Sequence, residues 1–499
     1  MLTLDGNPLT PAQLETVARA GEQVALGEAA REAIARSRAV VEAHLDDGEA
    51  HYGINTGFGS LARVRIGGDE LGELQRNLVR SHAAGIGEPL PPAVVRGMLV
   101  LLAASLARGY SGVRVELVEA IVGLLNTGVT PVVPEVGSVG ASGDLAPLAH
   151  LALVLMGEGE AFVGDERLPG AEALSRAGLE PVELHAKEGL ALINGTHLMA
   201  SRAALLVRDF DRVFDAAVVA AALTVDACKG TDASFDERVY AVRPHPGAVM
   251  AAERLRALLA GSEILPSHRE GDPRVQDPYS LRCAAVALGS AWDAAGYVKL
   301  AIERELGAVT DNPLVFPDGS IISAGNFHGL PLAVPLDALA VPIAHLAGVS
   351  ERRTYHMLSA RDPEAGLTPY LARKPGVQSG LMIAQYTAAA CCNEIIGLCT
   401  PASVANIPTS AGVEDYNSFG PRSAAKARRA LDLAARVVAI ELICARHAIG
   451  LHKPLRTGAK GEAMLEKVRG VVRPLEGDRS PAPDIEAVGN LVLAGAFVE

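Results

Sequence analysis

Apolar residues recur at helical spacing along most of this chain. Thr10-Pro11-Ala12-Gln13 reads as an N-cap, a proline at the first helical position and a capping-box glutamine. Residues 28–45 carry apolar positions at a helical period, and 92–108 and 114–126 read as helices, the latter closed by Gly128. From about 195 onward, long Ala/Leu/Val-rich segments at 196–228, 280–307, 332–358, 379–398 and 421–450 hold strong helix formers at every kind of position. Two stretches break the pattern. Residues 51–60 (HYGINTGFGS) are too rich in glycine for a helix, and 129–148 mix Val, Pro, Gly and Ser without a period. No strand–helix alternation supports a doubly wound sheet, and neither a repeat nor a flexible linker divides the chain. The expectation is a mainly all-α fold: a loop-rich N-terminal region over 1–200, then a long-helix bundle over 201–499.

Composition narrows the function classes. The 499 residues are 49% hydrophobic and 21% charged, which excludes a disordered chain. Acidic residues outnumber basic ones, 58 to 45, and no basic run reaches five, so nucleic acid is not an expected partner. The mean hydropathy of +0.23 needs a sink. The most apolar stretches, 94–107 and 331–348, contain Arg96 in the first and Asp337, His345 and three prolines in the second. Both read as buried helices rather than membrane spans, and a large subunit interface is the preferred sink. The N-terminus lacks a secretory pattern. Six cysteines without a CxxC pair fit reduced thiols in a cytoplasm, and no metal site is expected.

The densest anomaly is 134–147, PEVGSVGASGDLAP. A dinucleotide loop needs GxGxxG, whereas Gly137, Gly140 and Gly143 fall as GxxGxxG. A nucleophile elbow around Ser142 needs glycine two residues to either side; Gly140 fits, but position 144 is Asp. A third reading is chemical. Ala141-Ser142-Gly143 is a triplet that can cyclise: the Gly143 nitrogen attacks the Ala141 carbonyl, and loss of two waters, one carrying the Ser142 hydroxyl, leaves a methylidene-imidazolone (MIO). Spacing alone does not separate this from a plain tight loop whose glycines supply positive φ.

The neighbouring motifs do. GSVGASGDLAPLAH (137–150) resembles the MIO-bearing ammonia-lyases of aromatic amino acids, most closely the histidine enzymes. HYGINTGFG (51–59), NLVRSHAAGIGEPL (77–90), KEGLALINGTH (187–197), RPHPGA (243–248), VQDPYSLRC (275–283), VTDNPLVF (309–316), GNFHG (325–329) and PASVANIPTSAGVED (401–415) extend the likeness in the family's order. The resemblance implies non-oxidative elimination of ammonia from an α-amino acid, with the MIO from Ala141, Ser142 and Gly143 as electrophile and no dissociable cofactor. It implies that Tyr52 removes the β-proton, a role for which a phenol needs nearby donors. It implies Tyr279 over the MIO, Arg282 on the substrate carboxylate, Asn194 and Gln276 on the amine, carboxylate and MIO oxygen, Phe327 as a wall, and Asp144 as an aid to ring formation.

Substrate choice rests on His82 and Glu414, which in the histidine enzymes face the imidazole ring; unpaired polar groups there reject analogues. The implied reaction is L-histidine to trans-urocanate, the alternative being a lyase or 2,3-aminomutase for tyrosine or phenylalanine. Departures from the family pattern are His197, Ala284, Ala285, Leu330, Val413 and Tyr416-Asn417, several of them small or apolar where a polar pocket residue is usual. The resemblance also implies a homotetramer whose sites are each assembled from three chains, with Tyr52 and the MIO of one pocket coming from different subunits.

Overall fold

A computed structural model describes residues 1–45, 47, 49–57, 59 and 65–498. Its helices are Pro11–Ala20 (α1), Glu28–Ala43 (α2), Leu71–His82 (α3), Pro92–Leu106 (α4), Val115–Thr127 (α5), Leu145–Leu155 (α6), Gly170–Arg176 (α7), Glu188–Ile193 (α8), His197–Ala227 (α9), Glu237–Ala241 (α10), Pro246–Leu259 (α11), Tyr279–Arg282 (α12), Ala284–Glu305 (α13), Leu330–Ser359 (α14), Met382–Leu398 (α15), Gly420–Leu451 (α16), Ala459–Val471 (α17) and Ala482–Leu493 (α18). The mainly helical, long-helix expectation holds. The chain forms two compact units.

The first unit comprises Met1–Leu205, Lys299–Leu336 and Pro401–Ala425. The capping box of α1 forms as its sequence predicts: Gln13 N donates to Thr10 Oγ1 at 3.2 Å and Thr10 N to Gln13 Oε1 at 2.9 Å. Gly128 closes α5 at φ 77°. The apolar helix α4 packs against α1 and α5, and its Arg96 explains itself there. The guanidinium donates to Val17 O and Leu125 O, the last-turn carbonyls of α1 and α5, so the charge caps two helices inside the core. Helices α3, α6 and α8 pack on one another.

Small sheets edge this unit. Leu2–Leu4 (β1) pairs in parallel with Val24–Leu26 (β2), Ile86–Pro89 (β3) with Pro134–Val136 (β5), Val129–Pro131 (β4) with Glu160–Val163 (β6) and then Glu166–Pro169 (β7), and Leu314–Val315 (β8) with Ile321–Ile322 (β9). Strands this short show no alternation over their own length, which is why 129–148 looks patternless in sequence.

The second unit comprises Leu206–Val298, Asp337–Thr400 and Lys426–Glu499. Phe214 of α9 meets Trp292 of α13 with ring centroids 4.8 Å apart. Glu441 of α16, fully buried, accepts from Thr224 Oγ1 at 2.7 Å, Ser350 Oγ at 2.6 Å and Arg353 Nη2 at 2.9 Å. That knot fixes α9, α14 and α16 relative to one another, and removing Arg353 or Glu441 would strand the other's buried charge. Helix α14 is long and apolar enough to cross a membrane, yet 61% of its apolar window is buried in protein. Its Asp337 pairs with Lys426 at 3.7 Å. The helix expected over 280–307 is divided at Cys283, whose φ and ψ of −97° and 11° end α12 before α13 begins.

Candidate active site

Within the first unit lies a cavity of about 500 Å³. Tyr52, His82, Ser142, Asn194, Phe327 and Glu414 all line it, together with Leu78, Leu145, Leu190, Ile193 and Val413. Six residues singled out from sequence, spread over more than 360 residues, thus line one cavity. Tyr52 follows α2 in a turn, and Gly59 N–H reaches its Oη at 3.4 Å. Phe58 of the same motif lies outside the described residues. His82 ends α3; its Nδ1 is 2.8 Å from Leu78 O, which fixes that nitrogen as the donor and leaves Nε2 as an acceptor. Glu414 accepts from Thr409 Oγ1 at 2.8 Å through Oε2.

The triplet is held from both sides. Asp144 N donates to Gly195 O at 2.7 Å, and Gly195 N to Ser142 O at 3.2 Å. Gly143 has φ 73°, and a Cβ on it would sit 2.0 Å from Gly195 O. On the other flank, Phe419 N donates to Val139 O at 2.9 Å and Ser418 Oγ to Gly140 O at 3.0 Å. Asp144 is fully buried. Its Oδ2 accepts from Leu198 N at 2.9 Å and Met199 N at 3.0 Å, and its Oδ1 from Ser138 Oγ at 3.0 Å. It caps α9 from a different segment and so clamps the triplet to that helix. Burial pushes its carboxyl up to about 7, against the pull of those donors.

Asn194 follows α8 and rests on a buried ion pair. Its Nδ2 donates to Asp311 Oδ1 at 3.2 Å and Asn312 O at 3.1 Å, while Asp311 Oδ2 receives Lys187 Nζ at 2.6 Å. Lys187 is fully buried and Asp311 nearly so. Asn194 Oδ1 is buried without a hydrogen-bond partner in a residue that lines the cavity. Lys187 and Asp311 were not singled out from sequence. They lie in the KEGLALINGTH and VTDNPLVF motifs, where nothing in the spacing marks them as a pair.

Gln276, Tyr279 and Arg282 are not among the lining residues. They belong to the second unit, where Tyr279 is 72% exposed and Gln276 is exposed. Arg282 Cζ stacks 4.6 Å from the Tyr279 ring centroid, and its Nε donates to Asp277 O at 3.0 Å. Tyr52 and Ser142 line the same cavity of a single chain. The departures fall mostly away from the lining. Val413 lines the cavity, whereas Ala284 and Ala285 are packed at the start of α13 and Leu330 is partly buried at the start of α14. His197 is buried with both ring nitrogens unpartnered, and burial drives it down to about 4 against the opposing charge of Asp311.

Comparison with known proteins agrees with this geometry. The chain is 51% identical over 505 residues to a histidine ammonia-lyase of Anaeromyxobacter dehalogenans, covering 99% of both chains. Among solved structures, the histidine ammonia-lyase of Trypanosoma cruzi matches with a TM-score of 0.92 at 39% identity, over 99% of this chain and 94% of that one. The tyrosine aminomutase of Streptomyces globisporus matches at 0.93 and 32% identity, over 100% and 97%. The aromatic amino acid lyase profile matches residues 9–470. A match of that extent, on a cavity lined by the family's motifs, makes this chain a member of the aromatic amino acid lyase family.

Proposed function

We propose that the chain eliminates ammonia from L-histidine to give trans-urocanate, with an MIO formed from Ala141, Ser142 and Gly143. The observation that carries the reading is the joint presence of Tyr52, His82, Ser142 and Glu414 around one cavity. The likeness to chains named histidine ammonia-lyase supports it. The triplet suits cyclisation: Gly143 holds a left-handed backbone that no bulkier residue could hold against Gly195, and the loop is pinned on both flanks. The MIO supplies an electrophile that makes the substrate amine a better leaving group.

The chain's own residues bind and move the proton. Tyr52 Oη takes the β-proton, and the Gly59 amide supports the charge it carries. His82 Nε2 accepts one imidazole N–H, and the Glu414 carboxylate receives the other edge of the ring. Asn194 Oδ1 receives the substrate ammonium; the Lys187–Asp311 pair aims it. Phe327 walls the pocket, and Asp144 holds the loop during ring formation. We assign Gln276, Tyr279 and Arg282 to the cavity of another copy in a homotetramer, which the exposure of Gln276 and Tyr279 allows. Arg282 then spends its terminal nitrogens on the substrate carboxylate. The unpaired state of all six cysteines suits a cytoplasmic enzyme.

The deciding experiment is a panel of histidine, tyrosine and phenylalanine with purified enzyme. Urocanate absorbance should rise with histidine alone. Turnover of tyrosine or phenylalanine instead, or a β-amino acid product, overturns the assignment. Gel filtration should give a tetramer; a stable, active monomer overturns the shared site.

A further inference from the structure

The segment leading into Tyr52 brings three metal-ligating side chains together outside the cavity. His44 is the C-cap residue of α2, and Asp47 and His51 follow it. One ligand atom of each lies within 4.8 Å of the other two. The two imidazoles meet edge to face with centroids 4.9 Å apart.

The hydrogen bonds around them suit coordination. His44 Nδ1 lies 2.9 Å from Val40 O. A carbonyl only accepts, so Nδ1 carries the proton and Nε2 presents its lone pair. This backbone anchor is the outer-shell contact that orients metal-bound histidines. Asp47 Oδ1 accepts from Glu49 N at 2.8 Å, and Oδ2 lies 2.6 Å from His51 Nε2. Two imidazole nitrogens and one carboxylate oxygen form a borderline donor set that suits zinc, whereas calcium and magnesium ask for oxygen shells.

We propose that His44, Asp47 and His51 form a site for one zinc-class divalent cation, completed by water, that ties the end of α2 to the residue before Tyr52. Binding replaces the proton shared by His51 and Asp47, which leaves to solvent. The cation closes a loop that Asn55 already gathers, through His51 N at 2.7 Å and Glu49 O at 2.9 Å.

The test uses the full chain, stripped with chelator and titrated with Zn²⁺ and Co²⁺. Wild type should bind one equivalent more than His44→Ala and than Asp47→Asn, both judged folded by intact oligomer size. The lost equivalent should show Co²⁺ ligand-field bands without thiolate charge transfer. Zinc should slow amide exchange over 44–57 at least tenfold in wild type and leave both variants unchanged. Tyr52→Phe should bind the same equivalents as wild type, so failure of the Tyr52 assignment and failure of the site read out separately. Equal stoichiometry in wild type and both variants, or zinc-independent exchange in wild type, overturns the proposal.

Discussion

Gly143 and Gly195 face each other across a parallel bridge so closely that a Cβ on Gly143 would fall 2.0 Å from the Gly195 carbonyl oxygen. Two consequences meet here. The φ of 73° selects glycine, and the contact excludes anything larger. Gly143→Ala should therefore displace the loop and block cyclisation. Intact mass should find wild type two waters lighter than the encoded chain and the variant at its full encoded mass. An unmodified wild type would remove the MIO from the account.

Tyr52→Phe keeps the ring and deletes the hydroxyl proposed to take the β-proton. The mass deficit and MIO absorbance should persist while kcat falls about 10²–10⁴-fold, the usual loss on removing a general base. Unchanged turnover would take Tyr52 out of that role.

Lys187→Met leaves Asp311 buried and unpaired, which costs about 3–5 kcal/mol where no water can reach. Thermal unfolding should show a marked drop in midpoint. Because Asn194 hangs on the same carboxylate, kcat/KM should fall as well. The pair-neutralising double variant Lys187→Met/Asp311→Asn should recover stability more than activity.

His197 gives a pH signature. Its folded pKa is lowered to about 4, against an unfolded value of about 6.5. Between those values the unfolded chain binds a proton that the folded chain refuses, so stability falls as pH drops from about 6.5 to 4 and is not lost further below. The linkage amounts to about 3 kcal/mol over that window. His197→Gln does not titrate, and denaturation at pH 7 and pH 4.5 should show a smaller difference in the variant than in wild type. An equal difference would place the acid sensitivity elsewhere.

Much of this was legible beforehand, for identifiable reasons. The Thr10 capping box and the Gly128 stop are local codes, read without tertiary context. The long helices declared themselves through unbroken aliphatic composition. Helix α3 did not, although Leu71, Gln75, Leu78 and Val79 make its buried stripe, because a polar glutamine interrupts the apolar rhythm. The motif residues that line the cavity were recognisable as chemistry out of place among glycines. Their supports, Lys187 and Asp311, were not, since a buried ion pair 124 residues apart in sequence leaves no periodic trace.

The pinning of the triplet from a distance has a consequence in time. Ser418 and Phe419 fasten Gly140 and Val139 from nearly 280 residues downstream. A ribosome must deliver almost the whole polypeptide before that clasp can engage. If Ala141-Ser142-Gly143 cyclises as proposed, the ring forms only at the end of biogenesis, and a half-made chain, still exposed to every nucleophile in its surroundings, carries no electrophile to lose.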